Sequence, residues 1–214
     1  MKGKIRIAVG GSAANPPHLG HSQVLRFLIQ SKLFDRIIWI PCGSRTDKKD
    51  FVDASHRLAM VNRFMESFTH REMTVLDVRD DDVRGDNTPT IEWLERLTKE
   101  FPDAEIWWFT GSDSIIPQRK FDGKSEIEAC WIKGKELLCN YNFLILVRPG
   151  YPIPSNLKFP DNIKVVNTNL ADVSSSEARD LIKAQDSAFE RLVPRKVAEY
   201  IKENRLYEWK GGAR

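Results

Sequence analysis

Lys4-Ile5-Arg6-Ile7-Ala8-Val9-Gly10-Gly11-Ser12-Ala13-Ala14-Asn15-Pro16-Pro17-His18-Leu19-Gly20-His21 joins an alternating apolar run to a glycine- and proline-bearing segment that ends in two histidines. Ile5, Ile7 and Val9 alternate as in a strand, and from Gly20 to Gln30 the residues Val24, Leu25, Leu28 and Ile29 recur at helical spacing beside a polar face. A strand that turns into a helix is a βα unit. Gly10, Gly11 and Ser12 can form an anion-cradling turn, because glycine permits close approach and open backbone N–H groups. The helix N-terminus that follows favours negative charge. His18 and His21, three apart, share a face of the first helical turn and can meet charge developing on a phosphate.

The pattern repeats downstream. Arg36 to Ile40 reads as a second strand ended by Pro41, then Arg45 to Asp53 as a charged loop, and Ala54 to Phe68 as a helix. Met73 to Leu76, Glu105 to Phe109, Asn142 to Val147 and Ile163 to Val166 read as further strands, with a helix from Thr90 to Lys99. Alternation of this kind predicts an α/β fold, a mostly parallel sheet with helices on both faces and ligands at the carboxyl ends of its strands. Gln118 to Glu128 reads as a polar surface insertion, and Tyr151 to Asp161 as a proline-rich connector. Ser174-Ser175-Ser176 with Glu177 marks a helix start, and Pro194 opens a last helix, so 173–207 is expected to be a C-terminal helical extension of a single domain spanning 1–214.

Composition narrows the choices. With 214 residues the chain can bury one substantial core. Its formal charge is +3 and the basic residues are spread out, which argues against a nucleic-acid partner. No apolar run approaches the length that crosses a membrane, so no membrane partner is expected. Cys42, Cys130 and Cys139 have neither metal-pair spacing nor a disulfide pattern, and the cytoplasm is the expected compartment. The apolar faces of the last helices can dock internally or against a second copy, which leaves a homodimer among the expected partners.

Several side chains carry both a chemical reading and a plain one. His18 and His21 would need a third ligand to hold a metal, and none is identifiable from spacing, so no protein-bound metal is expected. Arg179 behind three serines can add a bidentate donor to a helix-bound phosphate, although serine-rich starts are also ordinary caps. Lys48 and Lys49 beside Asp47 and Asp50 suit a solvated loop, but they follow a strand's carboxyl end. Asp113 in Gly111-Ser112-Asp113 can accept hydrogen bonds from a ribose or close a turn. Trp107 and Trp108 fit packing within a strand, whereas Trp131 is free to stack on an aromatic ring. The phosphate loop Gly-x-x-x-x-Gly-Lys-Ser/Thr of many nucleotide hydrolases does not occur.

The ordered set of motifs resembles the bacterial nicotinate-nucleotide adenylyltransferases, of the nucleotidyltransferase superfamily with a His-x-Gly-His element. The likeness runs through Gly10-Gly11-Ser12 to His18-Leu19-Gly20-His21, Arg45-Thr46-Asp47-Lys48-Lys49, His56-Arg57-Leu58-Ala59-Met60, Thr88-Pro89-Thr90-Ile91, Gly111-Ser112-Asp113, Arg148-Pro149-Gly150 and Val173-Ser174-Ser175-Ser176-Glu177-Ala178-Arg179. Ala13-Ala14-Asn15 stands where that family has Phe-Asp, one residue longer, and Thr88-Pro89 replaces Ser-Tyr.

What the resemblance implies is a Rossmann-like sheet and transfer of the adenylyl group of ATP to nicotinic acid mononucleotide, giving deamido-NAD and pyrophosphate in NAD biosynthesis. Magnesium is expected to arrive with ATP. The implied catalytic groups are His18, His21, Lys48, Lys49 and Arg179. ATP is expected to meet Gly10, Gly11, Ser12, His18, His21, Gly111, Asp113, Ser174, Ser175, Ser176 and Arg179. The mononucleotide is expected at Asn15, Arg57, Thr88, Thr90 and Trp131, with Trp131 stacking on the pyridine ring. The alternatives are the same chemistry on nicotinamide mononucleotide or 4'-phosphopantetheine, or a non-catalytic nucleotide-binding module.

Overall fold

The computed structural model describes residues 4–43, 51–68, 74–83, 85, 87–168 and 170–211. β1 (Arg6–Ser12) leads into α1 (Leu19–Gln30), followed by β2 (Arg36–Pro41), α2 (Ala54–Glu66), β3 (Val75–Val78), α3 (Thr90–Glu100) and β4 (Glu105–Gly111). After α4 (Glu126–Cys130) and α5 (Gly134–Asn140) come β5 (Asn142–Leu146), β6 (Ile163–Val166), α6 (Ser175–Lys183) and α7 (Arg195–Glu203). The strands form one six-stranded sheet in the order β3-β2-β1-β4-β5-β6, and every pairing is parallel. This is the Rossmann-like α/β arrangement expected from the alternating pattern.

Alternation along the strands divides the core in two. Ala8, Trp39, Trp107, Phe109 and Leu144 pack with residues of α1, α2, α6 and α7 on one face. Ile7, Val9, Ile38, Trp108 and Phe143 pack with residues of α3, α4 and α5 on the other. Adjacent Trp107 and Trp108 thus serve opposite layers, as the two-residue period of a strand requires. A sheet covered on both faces explains why its strands read as nearly continuous apolar runs.

The C-terminal helices dock on their own chain. Val197, Ala198 and Ile201 are buried, the Tyr200 hydroxyl lies 2.9 Å from His56 Nδ1, and the Phe189 and Trp209 rings pack with centroids 5.1 Å apart. Leu206 and Tyr207 beyond α7 are buried as well.

Two expectations need correction. Gly10, Gly11 and Ser12 do not form a turn, because β1 continues through them and Gly11 and Ser12 sit opposite Ile40 and Pro41 of β2. Glycine is needed there for close packing. A Cβ on Gly11 would overlap the Ile40 carbonyl, and one on Gly10 would come within 2.7 Å of Phe109. The segment 118–128 is also more than a surface insertion. Its last third is anchored by Ile127, fully buried, and by Ser125, which caps α4 reciprocally with Glu128.

Candidate active site

The strand order turns back between β1 and β4, and such a reversal leaves a crevice at the carboxyl ends of the two strands. A cleft of about 270 Å³ opens there, lined by Gly11 and Ser12 of β1, Thr110 and Gly111 of β4, Asp113, Arg148, Val173 and the start of α1 with His18, Gly20 and His21.

α1 begins with two imidazoles in the role that Ser and Glu usually take in a reciprocal cap. The Gly20 N–H donates to His18 Nδ1 at 3.1 Å, and the His18 N–H donates to His21 Nδ1 at 3.1 Å. An Nδ1 that accepts carries no proton, so each neutral ring holds its proton on Nε2. The rings lie 3.8 Å apart at 33°, and Gly20 leaves the room, since a Cβ there would approach His18 Cε1 to 2.9 Å. Burial, helped by the Arg148 charge, lowers His18 from its ordinary value to about 4. Burial also holds His21 well below its ordinary value, with His18 and Arg148 adding to the effect. Two uncharged Nε2–H donors therefore occupy one side of a cleft, at a helix N-terminus that attracts anions.

The opposite side comes from β4 and β5. Gly111 is followed by a turn of 3-10 helix, Ser112–Ser114, and Asp113 Oδ2 pairs with Arg148 Nη1 at 3.0 Å. The buried Ser112 hydroxyl accepts from the Arg148 N–H at 3.0 Å and donates to the Tyr151 carbonyl at 2.7 Å, which fixes the Arg148-Pro149-Gly150 turn against β4. Arg148 was not among the residues expected at the site. Its position just past an apolar strand that ends at the sheet's carboxyl edge was the available signal.

α6 approaches through its N-terminus. Ser174 caps it by accepting from the Glu177 N–H at 3.1 Å, and Val173 Cγ2 lies next to Gly20. Ser175 and Arg179 face the loop before α1. Ser175 Oγ donates to the Pro16 carbonyl at 2.9 Å, while Arg179 Nη1 donates to the Asn15 carbonyl at 2.8 Å and Nη2 to Ser176 Oγ at 3.2 Å. Arg179 Nε is buried with no partner among the described residues.

Among the described residues, neither those expected at the mononucleotide nor Gly10, Ser174, Ser175, Ser176 and Arg179 of the ATP set line the cleft. Asn15 is buried and accepts from the Tyr207 hydroxyl and the Val52 N–H. Arg57, also buried, donates to the carbonyls of Cys42 and Val83 and lies over the Phe51 ring. Thr88 is fixed by Asp82, whose carboxylate accepts from its N–H, its hydroxyl and Trp93 Nε1. Thr90 opens α3, and Trp131 packs edge-on to Trp108 with centroids 6.4 Å apart. Lys48 and Lys49 lie outside the described residues.

Residues 9–181 match the family described as cytidylyltransferase-like. The chain belongs to that family. The matched span of the cytidylyltransferase-like protein takes in both helix N-termini at the cleft and ends within α6. A "probable nicotinate-nucleotide adenylyltransferase" of Opitutus terrae is 28% identical over 206 residues, covering 95% of this chain and 98% of the relative. One of the same name from Caldicellulosiruptor bescii is 27% identical over 213 residues, covering 95% of this chain and 100% of the relative. In architecture the cytidylyltransferase-like chain is similar to Plasmodium falciparum nicotinic acid mononucleotide adenylyltransferase complexed with NaAD, with a TM-score of 0.80, 21% identity and coverage of 96% and 98% of the two chains. No helix of the described residues is long and apolar enough to cross a membrane.

Proposed function

We propose that this cytidylyltransferase-like protein joins ATP and nicotinic acid mononucleotide to give deamido-NAD and pyrophosphate. The observation that carries the reading is the reciprocal cap, which turns the Nδ1 atoms of His18 and His21 to the backbone and leaves both Nε2–H groups as donors in the cleft. Full-length likeness to relatives named nicotinate-nucleotide adenylyltransferase supports the same choice of substrates.

In this reaction a phosphate oxygen of the mononucleotide attacks the α-phosphorus of ATP in line, and the bond from that phosphorus to the bridging oxygen of pyrophosphate breaks. No covalent work falls to the protein, so rate comes from alignment and from donors aimed at oxygens that gain charge. His18 and His21 supply two such donors, with His21 nearest the reacting phosphorus. Gly111 and Asp113 hold the adenosine beside Gly10, Gly11 and Ser12. Ser174, Ser175, Ser176 and Arg179 meet the outer phosphates, for which Arg179 exchanges its bond to the Asn15 carbonyl for one to phosphate. Lys48 or Lys49 assists from the loop after β2, and Asn15, Arg57, Thr88, Thr90 and Trp131 frame the mononucleotide.

The donor set suits magnesium carried in on ATP. Among the described residues no group of three or more His, Cys, Asp and Glu side chains could hold a metal, and the cleft carboxylate Asp113 is paired with Arg148. Phosphate oxygens and water would complete the coordination, and the ion would offset charge on the departing pyrophosphate. The same reading takes residues 1–214 as one cytoplasmic nucleotidyltransferase domain, with a homodimer as its possible assembly.

Pyrophosphate release with ATP and magnesium, compared for nicotinic acid mononucleotide, nicotinamide mononucleotide and 4'-phosphopantetheine, tests the assignment. A preference of tenfold or more in kcat/KM for the nicotinic acid form, about 1.4 kcal/mol, is the expected result. Binding of ATP with no pyrophosphate released from any acceptor would reject it in favour of a binding module.

A further inference from the structure

Asn15-Pro16-Pro17 connects β1 to the capping histidine, and its own chemistry leaves it short of anchors. Neither proline has an N–H to donate, so the segment is held through its carbonyls and the Asn15 side chain. The Asn15 and Pro16 carbonyls and the Asn15 side-chain oxygen are held from outside. Arg179 takes the Asn15 carbonyl at 2.8 Å and Ser175 the Pro16 carbonyl at 2.9 Å, while Asn15 Oδ1 accepts from the Tyr207 hydroxyl at 2.9 Å and the Val52 N–H at 3.3 Å. Asn15 is 2% exposed and Tyr207 is 7% exposed, so a lost partner would not be replaced by bulk water.

The tail that delivers Tyr207 adopts an unusual path. Arg205, Tyr207 and Glu208 all have left-handed backbones, with φ of 51°, 53° and 66°. Side-chain-bearing residues take that conformation at a steric cost, and it persists only where surrounding contacts determine it. Gln185 holds the Glu208 carbonyl at 2.8 Å and the Lys210 N–H at 2.7 Å, and Phe189 packs on Trp209. Burial raises the Tyr207 phenol far above its ordinary value, so it remains a proton donor.

We propose that Tyr207 is a positioning residue, whose hydroxyl fixes Asn15 and through it the Pro16-Pro17 segment that sets His18 at the cleft. The tail of the chain thereby acts on the phosphate-facing end of α1 without touching substrate. The inference rests on the proposed role of His18, and its test uses a readout that needs no turnover.

Ring-nitrogen NMR of the labelled full chain follows the His18 titration, with Arg148 and His21 as the charged or titratable groups facing that ring. In Tyr207→Phe, and again in Asn15→Leu, the His18 titration is expected to move from about 4 toward 6.5 by one unit or more as water reaches the ring. The double variant should add nothing beyond the larger single effect. Phe189→Leu, which loosens the same tail and keeps both hydrogen-bonding groups, should shift the titration less than either single variant. Turnover at saturating substrates should fall about tenfold in Tyr207→Phe, with the KM for ATP changed less than twofold. An unmoved His18 titration in both single variants, or an equal shift in Phe189→Leu, would overturn the positioning role. Absence of pyrophosphate release by the unaltered chain would instead count against the proposed reaction, and the titration comparison would still decide the role of Tyr207.

Discussion

The main-chain N–H of His18 donates to Nδ1 of His21 over 3.1 Å, and that bond settles which edge of the His21 ring is left for a ligand. With the matching bond from the Gly20 N–H to His18 Nδ1, helix capping and phosphate recognition use opposite nitrogens of the same rings.

The two uses separate by substitution. His21→Ala removes both the cap acceptor and the Nε2 donor, so turnover should drop about 10²- to 10³-fold. The accompanying loss of stability should be about 1 kcal/mol. His18→Asn keeps a short acceptor for the Gly20 N–H but withdraws the ring's reach, so its turnover should fall while its melting temperature stays near that of the unaltered protein. Steady-state pyrophosphate release beside calorimetry checks both. Undiminished turnover in His21→Ala would remove the histidine pair from the mechanism.

Acid should destabilise the fold through the same rings. His18 is lowered to about 4, chiefly by burial, so between about pH 6.5 and 4 the unfolded chain binds a proton there that the fold does not. Stability from this group is fully present above the unfolded value, declines as pH falls through 6.5, and declines no further below about 4. The shift corresponds to roughly 3 kcal/mol, and His21, lowered in the same direction, adds to it. Thermal melts from pH 7.5 to 4.5 should show a shallower slope for His18→Asn than for the unaltered chain. Parallel slopes would show that the ring titrates normally.

Sheet and cleft differ in how legible they were. Strand residues such as Ile37-Ile38-Trp39-Ile40 announce a sheet covered on both faces, because burial on both sides demands apolar side chains at every position. The cleft positions of His18, His21, Gly111 and Asp113 were legible because a strand's carboxyl end and a helix start lie next to them in sequence. Gly10 and Gly11 misled, since a glycine that relieves a clash with a neighbouring strand looks like one in a turn until the Ile40 carbonyl is in place. As site residues, Arg148 offered only its place after β5 and Tyr207 offered no signal. Their partners, Asp113 and Asn15, lie 35 and 192 residues away, and no local period encodes such pairings.

The glycines at the two strand ends should fail differently. A Cβ on Gly11 would meet the Ile40 backbone, which is fixed in the sheet, so Gly11→Ala should destabilise the fold by several kcal/mol and yield little soluble protein. A Cβ on Gly111 would meet the Asp113 carboxylate and the Arg148 side chain, which can move. Gly111→Ala should therefore fold, with a melting temperature close to that of the unaltered chain, and bind ATP more weakly. Equal stability losses in the two variants would contradict the contrast between a fixed backbone neighbour at Gly11 and movable side chains at Gly111.

Arg148 joins the electrostatics of the two cleft walls. Its guanidinium pairs with Asp113 at 3.0 Å on one side and lowers His18 and His21 on the other. The ion pair is partly exposed, with 43% and 27% of the two side chains accessible, so its removal should cost less than about 1 kcal/mol of stability. The loss to binding should be larger, because a cation facing a polyphosphate contributes a charge-assisted bond that the free protein does not need. Arg148→Gln should raise the KM for ATP about tenfold, equivalent to about 1.4 kcal/mol, while changing the melting temperature little. It should also let the His18 ring titrate higher, since one of the two causes of its lowering is gone and burial alone remains. Steady-state pyrophosphate release and ring-nitrogen NMR on the one variant read both consequences. A weaker KM with an unmoved titration would confine Arg148 to the nucleotide, whereas an unmoved KM with a shifted titration would confine it to the histidines.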